Sequence, residues 1–388
     1  MPEFSVQRTD TRIAKPPRER AAIPLTRKLY YSAFCVLLLL LLCEVAVRVR
    51  ANMRYGKANS GNIIDSLLVK DEKTGLQIPR AGLEQHAKLV SIGINSLGFR
   101  GQPFELNKAE DTIRIACIGA STTFCAEASD NDQTWPAQLQ RILNERHNAR
   151  FEVINAGIPG YMIEESVINL RERVLPLNPD LVIVYHANND MAQDTRNLAQ
   201  KQGIVKSNRD PALIRFAAKH SMLVDLGYKN IKILLKGNGQ KKLESIPEDI
   251  AERFSKHLHE IHQTTTAANC RLLVSHFATK YRADQTPEEQ SKNADVAFYY
   301  MPWMTAQHLT NTMARYNQAI TDFAAETKTP IVSEIDSIPA DDVHFADCMH
   351  LRDAGCEKMA IRFANFLDES GLLDALLEER TTTNLTSN

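Results

Sequence analysis

The chain has 388 residues, 44% of them hydrophobic and 24% charged, which excludes a disordered, collagen-like or disulfide-dense protein. The formal net charge is -1, from 46 Lys+Arg against 47 Asp+Glu, with no basic stripe outside the N-terminal region, so a nucleic-acid partner is not expected. The seven cysteines include no C-x-x-C pair, so neither a zinc set nor a disulfide framework is indicated, and no metal or cofactor is expected.

Residues 1–28 form a basic tail, with Arg8, Arg12, Lys15, Arg18, Arg20, Arg27 and Lys28. Residues 29–49 hold the most apolar run of the chain, the leucines from Leu37 to Leu42 continuing through Val47. The run is near the length a spanning helix needs, with Tyr30 and Tyr31 at interface depth and Arg48 and Arg50 beyond it. Glu44 lies near one end, where a charge reaches the headgroups at modest cost. A cleaved signal peptide is the competing reading, but its nearest cleavage site, Val49-Arg50-Ala51, is crowded by arginines. More basic residues precede the run than follow it, so a single-pass protein with a cytoplasmic N-terminus is expected. The large domain then lies outside the cytoplasm, in the periplasm if the source is bacterial.

Residues 50–111 carry turn signals, Asn59-Ser-Gly-Asn and Arg80-Ala-Gly among them, and read as a stalk with a small β-rich lead-in. From Thr112 the pattern changes to β-branched runs alternating with amphipathic stretches. Strands are expected at Ile113–Ile118, Phe151–Asn155, Leu181–Tyr185, Leu272–His276 and Pro330–Glu334. Helices are expected at Thr134–Arg146, Glu164–Val174, Pro247–Ala267, Thr305–Thr327 and Glu357–Leu367. Such alternation implies a three-layer α/β/α domain with a central parallel sheet over residues 112–372, its site on the loops at the strands' carboxyl ends. Residues 373–388 read as a polar C-terminal tail. The basic stretch Lys229–Lys242 is open to two readings, a lid or surface touching anionic lipid or glycan, and a solvated helix followed by a Gly-rich turn.

The first strand runs into Gly119-Ala-Ser121-Thr, where the glycine permits a tight turn and the serine opens a helix. The second ends in Gly157-Ile-Pro-Gly160-Tyr, a loop whose backbone can approach a ligand closely. The third ends in His186-Ala-Asn-Asn-Asp190, a cluster of amides beside a carboxylate. Near the C-terminus lies Asp347-Cys-Met-His350-Leu, in which an Asp three residues before a His can orient the imidazole and stabilise its cation. A second Asp-x-x-His, Asp341 with His344, precedes it on the same loop.

Together these segments resemble the four blocks of the SGNH (GDSL-like) hydrolase superfamily, in the family's order and over roughly Thr112 to Leu367. The lead-in Asn95-Ser-Leu-Gly-Phe-Arg-Gly also resembles the segment before the first block in membrane-anchored bacterial members. The resemblance implies a flavodoxin-like SGNH hydrolase fold and a catalytic set of Ser121, Asp347 and His350: nucleophile, orienting carboxylate and general base. It implies an oxyanion hole from the backbone N–H groups of Ser121 and Gly160 and the side-chain amide of Asn189. Two departures are plain: Ala120 stands where the family name supplies Asp, and Ala187 where Gly is usual, leaving Asn188 beside Asn189 as a candidate donor. Leu351 and Gly355 follow His350 as in the family, which favours it over His344. His257, His259 and His262 share a helical stretch but lack zinc-enzyme spacing. Cys348 and Cys356 are close enough along the chain for a bridge in an oxidising compartment, or stay free.

The expected activity is metal-free hydrolysis of an ester through an acyl-serine, the ester being an O-acyl group on a carbohydrate or envelope polymer. O-acyl transfer with the same residues is an alternative. A non-catalytic glycan-binding or assembly protein on this fold is another.

Overall fold

The computed structural model describes residues 24–55, 67–86, 90–205, 211–237 and 241–386. The basic tail up to residue 23, the Asn59-Ser-Gly-Asn turn and Gly239 lie outside them. By internal contacts the chain divides into two units, one ending at Ala46 and one beginning at Val47.

The apolar run forms helix α1 (Leu25–Tyr55), longer than residues 29–49 because no glycine or proline occurs between Pro24 and Gly56 to stop it. Its stretch Leu25–Asn52 is long and apolar enough to cross a membrane, a property it shares with signal sequences.

The lead-in contains two small antiparallel pairs, β1 (Leu68–Lys70) with β2 (Gln77–Pro79), and β3 (Glu84–His86) with β4 (Ser91–Gly93). It is more than a stalk. Ile92, Ile94 and Leu67 pack with Phe124 in a small apolar cluster, and Arg100 forms a bridge with Asn155 in the second strand of the large sheet. The lead-in is therefore part of the folded body.

That sheet has five parallel strands: β5 (Thr112–Gly119), β6 (Arg150–Gly157), β7 (Leu181–Tyr185), β8 (Arg271–Ser275) and β9 (Ile331–Val332). Their order is β6-β5-β7-β8-β9, so consecutive strands are added on one side and then on the other. β5 and β7 are buried along their whole length, as the apolar runs Ile115–Ile118 and Leu181–Tyr185 fit strands covered on both faces, and the buried Arg114 of β5 pairs with Glu152 at 2.5 Å. The last expected strand is reduced to two residues, because β9 pairs with β8 only at Val274–Ile331 and Ser275–Val332 before a 3-10 turn at Ile335–Ser337.

The helices follow as α2 (Ser121–Phe124), α3 (Trp135–Arg146), α4 (Ile163–Asn169), α5 (Asn188–Lys201), α6 (Ala212–His220), α7 (Met222–Gly237), α8 (Glu252–Ala267), α9 (Pro287–Asn293), α10 (Asp295–Tyr300), α11 (Ala306–Thr327), α12 (Asp353–Glu369) and α13 (Leu372–Thr386). They cover both sides of the sheet. α3 packs on α12 and β6, while α8 packs on α4, α11 and β8. Thr134 and Thr305 cap α3 and α11 through their hydroxyls, at 3.4 Å to Ala137 N and 3.1 Å to His308 N. The stretch Glu164–Val174 is not one α-helix: α4 gives way to a π-turn over Leu170–Val174 and a 3-10 turn at Leu175–Leu177, where Pro176 lacks the N–H to continue.

The start of the stretch 373–388 is not a free tail but part of helix α13. α13 buries Leu372, Leu373 and Leu376, and its Glu379 pairs with Arg271 at the start of β8. Three apolar residues in its first two turns suffice to seat an otherwise polar helix.

Candidate active site

Residues at the carboxyl ends of β5, β6 and β7 stand side by side: Gly119 is in register with Gly157 on one flank and with Tyr185 on the other. This is where the strand order reverses, the point at which doubly wound sheets open a crevice. The glycines are required by packing. A Cβ on Gly119 would sit 2.0 Å from Thr123 Oγ1 and 2.5 Å from the Tyr185 carbonyl oxygen. One on Gly157 would sit 2.4 Å from the backbone nitrogen of Phe124. So Gly157 is explained by the close approach of α2, not by the approach of a ligand. Gly160, exposed and with φ +87°, is the loop position that needs a glycine for its backbone.

Ser121 is the first residue of α2, a single turn closed by Cys125 in the left-handed region at φ 60°. Three side chains hold that turn. Trp135 Nε1 donates to the Thr122 carbonyl at 3.2 Å, Thr123 Oγ1 to the Tyr185 carbonyl at 3.3 Å, and Arg100 to the carbonyls of Phe124 and Cys125 at 3.0 and 2.6 Å. Arg100 is 3% exposed, and it also donates to Ser91 O, Asp130 O and Asn131 Oδ1. All three guanidinium nitrogens are thereby used. The motif Asn95-Ser-Leu-Gly-Phe-Arg was legible in the sequence, but nothing in it revealed that its arginine grips the turn carrying Ser121.

His350 reaches Ser121 from the far end of the chain. Its Nε2 lies 2.8 Å from Ser121 Oγ, and its Nδ1 lies 2.7 Å from Asp347 Oδ2. Asp347 Oδ1 also accepts from the backbone N–H groups of Met349 and His350, at 2.9 and 2.8 Å, so the carboxylate is fixed by the turn it belongs to. Flanking bonds, Ala346 N to His350 O at 2.8 Å and Arg352 N to His344 O at 2.9 Å, close this turn into a hairpin that thrusts His350 forward.

Burial works against a charged His350, but the hydrogen bond and negative charge of Asp347, with Glu127 further off, outweigh it, and its pKa lies above the ordinary histidine value. For Asp347 burial pulls upward, and the bonds and charge of His350 with the backbone donors prevail, so its pKa is lowered. The pair is thus arranged to hold a proton on His350.

Asp341 and His344 repeat the same local geometry, Nδ1 to Oδ1 at 2.7 Å with backbone donors at 3.0 and 2.9 Å. That pair is not joined to Ser121: its carboxylate is half-exposed, and the His344 carbonyl is packed 2.2 Å from where a Cβ on Gly355 would be. Gly355 thus serves to seat α12 under the hairpin.

A small open cleft lies beside Ser121, lined among others by Tyr185, His186, Asn188, Asn189, Phe277 and Met349. Asn189 Nδ2 donates to the Tyr161 carbonyl at 2.8 Å, leaving its second amide hydrogen for another acceptor. Asn188 also lines the cleft, and its Oδ1 is buried without a hydrogen-bond partner. Gly160 is not among the lining residues. It is the residue before Tyr161, to which Asn189 is tied, and Ile163 N donates to both oxygens of Asp190 at 3.2 and 3.1 Å. The Gly160 loop and the first turn of α5 are therefore bonded together.

Behind them lies a buried polar chain that the sequence did not disclose. Ser166 Oγ meets His186 Nε2 at 2.7 Å, and His186 Nδ1 lies 3.6 Å from Asp190. Arg253 on α8 donates to Asp190 at 2.9 Å and to Asp194 at 2.8 Å, and Tyr316 donates to Asp194 at 2.7 Å. Asp190 is thus a buried carboxylate with a cation and two backbone-anchoring contacts, as burial of a charge demands.

The remaining candidates do not converge. His257 pairs with Glu260, His259 with Glu326 and the Ser255 carbonyl, and His262 lies edge-on to Phe323. Cys348 and Cys356 are both free and buried, and the Cys356 thiol has Cys125 as its hydrogen-bond neighbour. Among the described residues no group of three metal-ligating side chains is assembled.

A parallel sheet in this order, with a serine, a histidine and an aspartate joined in series at its reversal point, defines a hydrolase of the serine type on a doubly wound α/β/α fold. Residues 117–358 match the GDSL-like Lipase/Acylhydrolase family, and the chain belongs to it; it is a serine ester hydrolase of the SGNH superfamily. No curated protein matches the chain. Among solved structures it is similar to a variant of Axe2, an acetyl xylan esterase from Geobacillus stearothermophilus, at 15% identity and TM-score 0.40, covering 67% of this chain and 97% of that one. It is also similar to a lipase/acylhydrolase from Enterococcus faecalis, at 14% identity and TM-score 0.39, covering 66% and 95%. A GDSL-like lipase from Bacteroides thetaiotaomicron gives 13% identity and TM-score 0.37, covering 67% and 89%.

Proposed function

We propose that this protein is a membrane-anchored serine esterase that removes a small O-acyl group from a carbohydrate or envelope polymer, with Ser121 as nucleophile, His350 as general base and Asp347 as its orienting carboxylate. The observation that carries the reading is the continuous chain from Ser121 Oγ through both nitrogens of His350 to Asp347, at 2.8 and 2.7 Å. A serine hydroxyl becomes a competent nucleophile when a positioned base takes its proton.

Ser121 Oγ attacks the acyl carbonyl as its proton passes to His350 Nε2, and Asp347 stabilises the imidazolium. The negative charge on the carbonyl oxygen is met by the Ser121 and Gly160 N–H groups and by the free hydrogen of Asn189 Nδ2. The bond to the alcohol then breaks as His350 returns the proton to the leaving oxygen. Water repeats the sequence on the acyl-serine and releases the carboxylic acid. Each oxyanion donor is worth about 10²–10³ in rate. The small cleft beside Ser121 favours a short acyl group over a long chain.

Helix α1 supports anchoring, and the basic residues before it support a cytoplasmic N-terminus with the catalytic domain outside. That location supports a carbohydrate or envelope polymer as the acyl carrier. The test is hydrolysis of an activated acetyl ester by the detergent-purified chain, compared with Ser121→Ala, followed by product analysis with acetylated polysaccharide. Undiminished hydrolysis by Ser121→Ala overturns the nucleophile assignment. An acyl group found on an added sugar acceptor rather than released as free acid converts the reading to acyl transfer.

A further inference from the structure

Between α5 and α8 the chain makes a detour that the sheet does not require, the paired helices α6 and α7. α6 buries none of its nine residues. Leu213 and Phe216, three positions apart on one face, are 78% and 64% exposed. On α7, Val224 and Ile231 are seven positions apart, hence also on one face, and both are exposed. A helix this short is marginal in water, and burial of its apolar face is the usual source of its stability. Here the folded body supplies little of that burial.

Two observations identify what covers these faces. The segment Ala212–Gly237 carries Arg215, Lys219, Lys229, Lys232 and Lys236 against Asp225 alone, in a chain whose net charge is -1. Apolar faces on a locally cationic pair of helices fit an anionic lipid surface. Second, Arg48, just past the apolar run of α1, donates through Nη2 to the carbonyl of His220 at the turn between α6 and α7, at 3.1 Å. The turn is therefore next to the residue at which a spanning α1 would leave the hydrocarbon.

We propose that α6 and α7 lie on the surface of an anionic bilayer, with Leu213 and Phe216 in the acyl-chain boundary and Arg215 and Lys219 among the headgroups. This rests on the anchored reading of α1 and adds a second, peripheral contact to it.

The experiment uses the full-length chain in vesicles, with Phe216→Trp as a depth probe and lipids brominated on their acyl chains as quenchers. The native Trp135 and Trp303 are buried, so the unsubstituted chain gives the background. Quenching of the added tryptophan is expected in phosphatidylcholine vesicles containing phosphatidylglycerol. Most of it should be lost in pure phosphatidylcholine, and in a triple variant that adds Arg215→Glu and Lys219→Glu. A tryptophan unquenched in anionic vesicles overturns the proposal, as does quenching equal in both lipids. So does a probe shielded in detergent by a second copy of the chain. Alkaline carbonate extraction reports separately on α1: a released chain refutes the anchor, whereas the quenching alone decides the docking.

Discussion

Arg100 Nη1 donates to the carbonyl oxygen of Cys125 at 2.6 Å, and through this bond the lead-in of the chain holds the end of the turn that begins with Ser121. Burial lowers the pKa of Arg100, with Cys125, Cys356, Asp130 and Asp353 acting the other way. Arg100→Met should leave the Phe124, Cys125, Ser91 and Asp130 carbonyls short of a donor and cost about 2–4 kcal/mol, read as a lower midpoint in thermal unfolding. Arg100→Lys should recover little, because one ammonium cannot span the five acceptors of the fork.

Ser121→Ala should reduce ester hydrolysis by about 10³-fold or more while leaving the unfolding midpoint within experimental error. Its hydroxyl makes one side-chain bond, to His350, at a half-buried position. A parallel loss of structure by circular dichroism would contradict a purely chemical role.

The pH profile follows from the directions of the two shifts. His350 must be neutral to accept the Ser121 proton, and its pKa lies above the ordinary histidine value, so kcat/KM should rise with pH through an apparent pKa above that value. Asp347→Asn removes the larger influences that raise it and leaves only Glu127 to oppose burial. The acid limb should move to lower pH, with activity reduced on the order of 10³–10⁴-fold. For stability the signs differ. The raised His350 contributes fully below its unfolded pKa and loses its contribution as pH rises through the folded one. The lowered Asp347 contributes above its unfolded pKa and loses it as pH falls. The pair therefore stabilises the fold most between the two unfolded values, and the contribution declines outside that window towards each folded value; Asp347→Asn should flatten the dependence of unfolding midpoint on pH.

Asn189→Ala should lower kcat by about 10²–10³ if its free amide hydrogen meets the oxyanion. Asn188→Ala should cost less in kcat if Asn189 is the amide that meets the oxyanion. Equal losses in the two variants would show that the asparagines act by shaping the cleft.

Gly157→Ala should destabilise by about 2–3 kcal/mol, because its Cβ would strike the backbone of Phe124 and Thr123, which cannot swing away as a side chain can. Gly160→Ala meets no neighbour, and its cost should come from φ +87° alone, about 1 kcal/mol. Chemical denaturation of both variants separates packing from backbone strain.

The apolar-rich runs at Ile113–Ile118, interrupted only by Arg114, and at Leu181–Tyr185 determined the central strands, since strands covered on both faces are predominantly apolar. The glycine before Ser121 and the Asp three residues before His350 were equally visible, because turn geometry and local carboxylate–imidazole pairing are short-range properties. Distance in sequence hid the rest. Two Asp-x-x-His turns of equal local quality stand six residues apart, and only packing of the hairpin on α12 and α2 brings one of them to a serine 229 residues away. Likewise the role of Gly157, the grip of Arg100 on Cys125, the chain Ser166–His186–Asp190–Arg253 and the docking of α13 exist only once separate segments meet. Periodicity and turn chemistry are written in neighbouring residues, whereas the choice among equivalent side chains is made by which of them the folded sheet carries to its reversal point.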